Sequence, residues 1–101
     1  MTRRSPVVVT SRASLQIEEA AAWWTRNRPA APGAIRVELE RAFELLAIQP
    51  RIGAPVRSDR VPGVRRVHLS RVHYYVYYRV GATAVEILAF WHSSRGTKPE
   101  L

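Results

Sequence analysis

Three runs rich in β-branched and aromatic residues, Val64 to Leu69, Val72 to Val80 and Thr83 to Trp91, are separated only by Ser70-Arg71 and Gly81-Ala82. Connections this short leave no room for a crossover, so consecutive runs must pair as antiparallel neighbours. Such a meander is stable only if one of its faces is buried, and the first half of the chain supplies what can bury it. After the short strand Pro6 to Thr10, the apolar positions Ala13, Ile17, Ala20, Ala21 and Trp24 follow a helical period, which predicts a helix from about Arg12 to Arg26 capped by Thr10 or Ser11. Asn27-Arg28-Pro29 and Pro32-Gly33 interrupt it. Ile35, Leu39, Ala42, Phe43 and Leu46 then resume the period until Gln49-Pro50 stops it. The segment Arg51 to Gly63, with Gly53, Pro55 and Pro62, reads as a loop, and the tail from Ser93 to Leu101 as surface chain. The expected architecture is α+β: an N-terminal strand and an antiparallel helical hairpin on one face of a twisted antiparallel sheet, in the order β-α-α-β-β-β, forming one domain over residues 1–101.

Composition narrows the chemistry. With 47% hydrophobic content in 101 residues, the chain can build one core. No cysteine is present, and His68, His73 and His92 lack the spacing of common zinc motifs, so neither a metal nor a cofactor is expected. Neither a spanning apolar run nor a leader-like apolar region after Met1-Thr-Arg-Arg-Ser-Pro6 is seen, which predicts a cytoplasmic protein without membrane contact. The formal charge is +8, and it is uneven. Residues 1–50 hold seven basic and five acidic residues, residues 51–101 nine basic and three acidic. The electropositive half is the sheet half, and it suits an acidic partner.

Alternation along the strands sorts the sheet into faces. In the middle run Val72, Tyr74, Val76, Tyr78 and Val80 point one way, and His73, Tyr75, Tyr77 and Arg79 the other. Taking the valines as the core side places Val67 and Leu69 inside and Arg66 and His68 outside, with Arg65 near the strand entrance. Unbroken alternation in the last run puts Val85, Ile87, Ala89 and Trp91 inside and Glu86, Leu88, Phe90 and His92 outside. The outer face then gathers all three histidines with Arg66, Tyr75, Tyr77 and Arg79. Guanidinium groups grip phosphates or carboxylates, His exchanges protons near neutrality, and Tyr stacks or donates. Leu88 and Phe90 on that wet face predict a protein partner that covers it part of the time, and an exposed edge strand offers a second mode of association.

Other features carry less. One ring of Trp23-Trp24 belongs to helix packing, Glu18-Glu19 to a solvated helix surface, and no phosphate loop, nucleophilic triad or His-Glu metal motif is present.

Several signals in fixed order resemble the RelE/ParE toxin superfamily, most closely its ParE branch. They are Ala13 and Ile17 through Trp24, Leu39 and Leu46, Pro50-Arg-Ile-Gly53-Ala-Pro55, Gly63-Val-Arg-Arg-Val67, Tyr74-Tyr-Val-Tyr-Tyr-Arg79-Val and His92-Ser-Ser-Arg95. The resemblance implies a type II toxin neutralised by a cognate antitoxin whose partly acidic C-terminal segment wraps it. ParE-like members are associated with poisoning DNA gyrase, RelE-like members with cutting mRNA in the ribosome.

Cleavage of RNA requires a base for the 2′-hydroxyl, charge stabilisation and an acid for the leaving oxygen. Arg65, Arg66 and Arg79 are the candidates for charge and His92 for the acid. No base stands out: Glu86 lies about 20 Å along the strand from His92 at ~3.3 Å per residue, Asp59 sits in a loop, and His68 or His73 remains open. The expectation is a gyrase-directed toxin without hydrolytic activity, with Arg66, His68, His73, Tyr75, Tyr77, Arg79, Leu88, Phe90, His92 and Arg95 as candidates for target or antitoxin contact; a ribosome-dependent endoribonuclease is the alternative.

Overall fold

A computed structural model describes residues 3–101; Met1 and Thr2, which head the N-terminal segment considered above for a leader, lie outside it. Its elements are β1 (Val7–Val9), α1 (Ser11–Asn27), α2 (Ala34–Ile48), β2 (Ala54–Pro55), β3 (Val64–Leu69), β4 (Tyr74–Val80) and β5 (Val85–His92). No helix is long and apolar enough to cross a membrane. The α+β class and the chain order of the main elements are as expected from the sequence, with two additions. The loop after α2 contains β2, whose two residues pair antiparallel with Arg66 and Arg65. The sheet is mixed rather than antiparallel throughout, because β1 lies parallel to β5 at one edge of the order β1-β5-β4-β3-β2. Parallel pairing follows from chain direction: the helical hairpin and the meander bring β5 back to β1 in the same sense.

Local signals explain the helices. The Thr10 hydroxyl accepts from the Ala13 N–H at 3.2 Å, capping α1 one residue before its first turn. The turn after α1 is tied by the Trp24 indole, which donates to the Ala31 carbonyl at 2.8 Å. Both helices press Ala13, Ala20, Ile35, Leu39 and Leu46 onto Val72, Val76, Tyr78, Val85 and Ile87, and this is the main core. Tyr78 is fully buried there and its hydroxyl accepts from the Gly53 N–H at 2.8 Å, seating the β2 loop; burial pushes its phenol pKa up, so it stays neutral.

The last strand departs from simple alternation. Tyr77 faces Ala89 but Tyr78 faces Ile87, so Leu88 is an extra residue, a β-bulge. Beyond it the sides exchange. Phe90 enters the helix-side core, 3% exposed and stacked on Tyr74 with ring centroids 4.4 Å apart, while Ala89 and Trp91 turn to the opposite face. This corrects the assignment of Phe90 and His92 to the outer face and of Ala89 and Trp91 to the core. The bulge also suits the edge: β1 reaches only Ile87, and the Phe90 N–H beyond it donates to the Gln16 carboxamide at 2.8 Å.

The face away from the helices is covered in part. Val64, Tyr77 and Ala89 are buried there beneath Val56 and Val61 of the loop and Leu101 of the C-terminus. The tail lies on the surface, largely exposed, and is pinned across this face: the Trp91 indole donates to the Thr97 carbonyl at 2.8 Å, and the Arg12 guanidinium donates to the Glu100 carbonyl at 2.7 Å. Leu88 lies against this second cluster rather than open to water, and Tyr77 is 1% exposed. The exposed apolar side chains lie elsewhere, among them Val37, Leu45 and Ile48 on the outer side of α2.

Candidate functional site

The sequence candidates divide into groups with different jobs. Arg65 is occupied structurally, because its guanidinium donates to the carbonyls of Gly53 at 2.7 Å and Arg51 at 3.1 Å and so anchors the β2 loop. Arg79 is neutralised by its cross-strand partner Glu86, with Nε 2.6 Å from Oε1. His73 does not lie in a strand. It is exposed in the turn between β3 and β4 with φ of 62°, and its carbonyl accepts from the Ser93 N–H at 2.8 Å and the Ser93 hydroxyl at 2.9 Å. Leu88 and Phe90 are packing residues, as described above. Five of the ten candidates for target or antitoxin contact remain with side chains near one another at the tail end of the meander: Arg66, Tyr75, Tyr77, His92 and Arg95, with His68 beside them.

Arg66 and Tyr77 are directly paired across β3 and β4, and the Arg66 guanidinium donates to the Tyr77 hydroxyl at 3.1 Å while lying 4.0 Å over the Tyr75 ring. His68 stands opposite Tyr75 with ring centroids 4.8 Å apart. On the other side of Tyr75 stands its β5 partner Trp91, whose ring carries the Arg95 guanidinium at 4.2 Å. A hollow of about 250 Å³ opens among Arg66, Tyr75, Trp91, Arg95 and Lys98. Neither arginine has an acidic partner: among the described residues the ion pairs are Arg4 with Glu44, Arg41 with Glu38 and Arg79 with Glu86. Charge without a counter-charge, stacked on rings that hold it in place, is a surface prepared for an anionic ligand.

Trp91 and Lys98 were absent from the sequence candidates. The bulge hid Trp91 by reversing its side, and the position of Lys98 depends on the tail crossing the sheet, which no local pattern signals.

His92 ends β5 on the helix side, edge-on to Tyr74 at 5.0 Å, where it borders both this hollow and a groove along α1 formed with Gln16, Glu19 and Trp23. The Ser94 N–H donates to His92 Nδ1 at 3.2 Å and the Ser94 hydroxyl lies 2.6 Å from the same atom, so Nδ1 is the acceptor and Nε2 carries the proton. Burial first, then the nearby His73 and Arg95, hold the His92 pKa below the ordinary histidine value. The unfolded chain takes up a proton as pH drops through the ordinary histidine range while folded His92 resists it, so this residue's contribution to stability falls with decreasing pH until its own lowered pKa is passed. The His92 ring signals followed by NMR should titrate below the ordinary histidine value, and His92→Gln should flatten the stability profile as pH falls through the ordinary histidine range. A His92 signal titrating above the ordinary histidine value would contradict the geometry.

As a general acid His92 is poorly prepared, since its charged form is disfavoured; as a base it is occupied at Nδ1. Among the described residues no group of three or more His, Asp or Glu gathers as a metal site. The arrangement can grip anions and stack on planar groups.

Residues 7–96 match the family described as the ParE toxin of the type II toxin-antitoxin system, parDE. Among solved structures, the chain is similar to the chromosomal ParDE toxin-antitoxin system from P. aeruginosa, with 21% identity and a TM-score of 0.71 over 88% of this chain and 96% of that one. It is also similar to the toxin-antitoxin complex RelBE2 from Mycobacterium tuberculosis, with 26% identity and a TM-score of 0.60 over 88% of this chain and 98% of that one. No curated protein sequence matches it.

Proposed function

From the premise that this chain belongs to the ParE toxin family of type II toxin-antitoxin systems, we propose that it arrests growth by binding DNA gyrase, as a non-enzymatic toxin. The observation that carries the choice is the state of His92: its acceptor nitrogen is filled by Ser94 and its charged form is disfavoured, beside a hollow whose other functional groups are guanidinium, ammonium and aromatic. Groups of this kind bind; they lack the paired proton donor and acceptor that phosphodiester cleavage needs. Arg66 and Arg95 are the contact residues of this reading.

An antitoxin completes the pair, consistent with the toxin-antitoxin systems among the similar structures. Its acidic segment answers the positive charge of the sheet half, and its apolar residues find Val37, Leu45 and Ile48 on α2 in the role first assigned to Leu88 and Phe90.

The nuclease alternative retains one support, that Arg66 and His92 border the same hollow. Purified gyrase and translating ribosomes separate the two. The expected result is loss of gyrase supercoiling with accumulation of cleaved DNA, translated messages left whole, and a His92→Gln variant as toxic as the parent. Messages cut on the ribosome with gyrase unaffected, together with loss of toxicity in His92→Gln, would replace this function with the endoribonuclease.

A further inference from the structure

The two edges of the sheet are built differently. β2 is two residues long, and one of them, Pro55, has no N–H to offer. β1 is Val7-Val8-Val9, with neither a proline nor a charge to blunt the edge, and Val8 and Val9 are exposed. Its backbone is committed on one side only. In the parallel pairing with β5 the Pro6 carbonyl accepts from the Val85 N–H at 2.8 Å and the Thr10 N–H donates to the Ile87 carbonyl at 3.1 Å. Backbone groups alternate in direction along a strand, so Val8 also faces β5, while the N–H and carbonyl groups of Val7 and Val9 point out of the sheet. Among the described residues these outward groups have no hydrogen-bond partner. The strand is held in place from both ends: the Ser5 N–H donates to the Ala47 carbonyl at 2.8 Å, Arg4 is paired with Glu44, and Thr10 caps α1.

We infer that this edge joins two copies of the chain, β1 against β1 in antiparallel register about a two-fold axis beside Val8. Two outward residues flanking an inward one are self-complementary under that operation. Val7 of each copy exchanges N–H and carbonyl bonds with Val9 of the other, and the two Val8 residues stand opposite each other as a non-hydrogen-bonded pair with Cα atoms about 4.5 Å apart. Every opposed pair is valine with valine, and β-branched side chains pack well across strands. The cations that flank β1 are engaged within their own copy, Arg4 by Glu44 and Arg12 by the Glu100 carbonyl. Any other partner must bring a matching apolar strand, whereas a second copy brings one by symmetry. The two five-stranded sheets then become continuous, with both helical hairpins on one side. An edge this short makes a weak contact, so the dimer forms and dissolves with concentration.

The chain has no cysteine, so a single introduced thiol reports on one position. In the purified full chain, with neither gyrase nor antitoxin present, mild oxidation should convert Val8→Cys largely to a disulfide-linked dimer. Val7→Cys and Val9→Cys should give several-fold less, because two copies of either residue stand two positions out of register, about 8 Å apart at Cα and beyond the reach of a disulfide. Sedimentation velocity of the parent should show a mass that rises from one chain towards two with concentration. Val9→Pro removes an outward donor and leaves the bonds to β5, so it should raise the dissociation constant by about tenfold or more while keeping a cooperative melting transition. Equal crosslinking at all three positions would reduce the contact to random collision and overturn the inference. So would a parent that stays monomeric at every concentration, or a dimer that Val37→Asp dissolves and Val9→Pro leaves intact, which would assign the contact to α2. If Val9→Pro fails to fold, the pattern of the three thiols decides alone. No target enters these measurements, so their outcome is independent of whether the chain inhibits gyrase.

Discussion

Replacing Phe90 with alanine should destabilise the chain by about 3–5 kcal/mol, a large part of the ~5–15 kcal/mol that holds a domain of this size folded. The ring is 3% exposed, stacks on Tyr74 and belongs to the cluster that includes Leu46 and Ile87, so its removal leaves a cavity that the surrounding strand and helix cannot close. Leu88→Ala is the comparison that gives the result its meaning. Leu88 is the extra residue of the bulge and only half-buried, and its truncation should cost about 1 kcal/mol. Chemical denaturation of both variants reads the difference directly. If Leu88→Ala proved the more damaging, the strand would run without its bulge and Phe90 would belong to the outer face.

Gly53→Ala should produce the second large loss, by overpacking rather than by a cavity. A Cβ at Gly53 would stand 2.5 Å from the Tyr78 hydroxyl, 2.8 Å from its ring and 2.9 Å from the Arg66 carbonyl. The obstacle is a fully buried ring and a strand backbone, neither of which can step aside cheaply, so the expected cost is about 3 kcal/mol. The same change strains the Gly53 N–H bond to Tyr78 and the Arg65 hydrogen bond to the Gly53 carbonyl, which together seat β2 on β3. Tyr78→Phe removes the hydroxyl alone and should cost about 1–2 kcal/mol through the unpaired N–H. Because the hydroxyl is the closest obstacle, the double variant should lose less than the two single losses added together. Thermal melts of the three variants check this; a Gly53→Ala protein as stable as the parent would mean that the loop is not held against Tyr78.

The candidate site was legible in its ingredients and less so in its arrangement. Arg66, Tyr75 and Tyr77 could be grouped from their own strands, because β3 and β4 keep an unbroken register from Val64 opposite Arg79 to Leu69 opposite Tyr74. Arg95 was recognisable as a charge but not as the lid of an indole ring. Alternation gives His92 the wrong neighbours, and its lowered pKa comes from burial and from His73 and Arg95, which its own strand does not reveal. Arg65 and Arg66, adjacent and alike in composition, have opposite uses: one faces the loop it ties down and the other the hollow, the alternation of a single strand being enough to separate them.

What the sequence alone determined is whatever depends on period and on the length of connections. The helical spacing of Ala13 to Trp24 and Ile35 to Leu46, the short connections in the meander, four residues each in the structure rather than the two read from the sequence, and the excess of basic over acidic residues after Pro50 each constrain the chain locally, and the helices, the antiparallel pairs and the basic sheet follow from them. The tertiary structure decided the rest: that β1 runs parallel to β5, that Leu88 is left unpaired, and that the tail from Thr97 to Leu101 crosses the sheet. The physical reason is common to all three. Alternation records only which residues share a side, and one unpaired residue exchanges the sides of everything beyond it; whether that residue is extruded is settled by the fit of Phe90 beneath α1 and of Trp91 beside Tyr75, where segments distant in the chain meet.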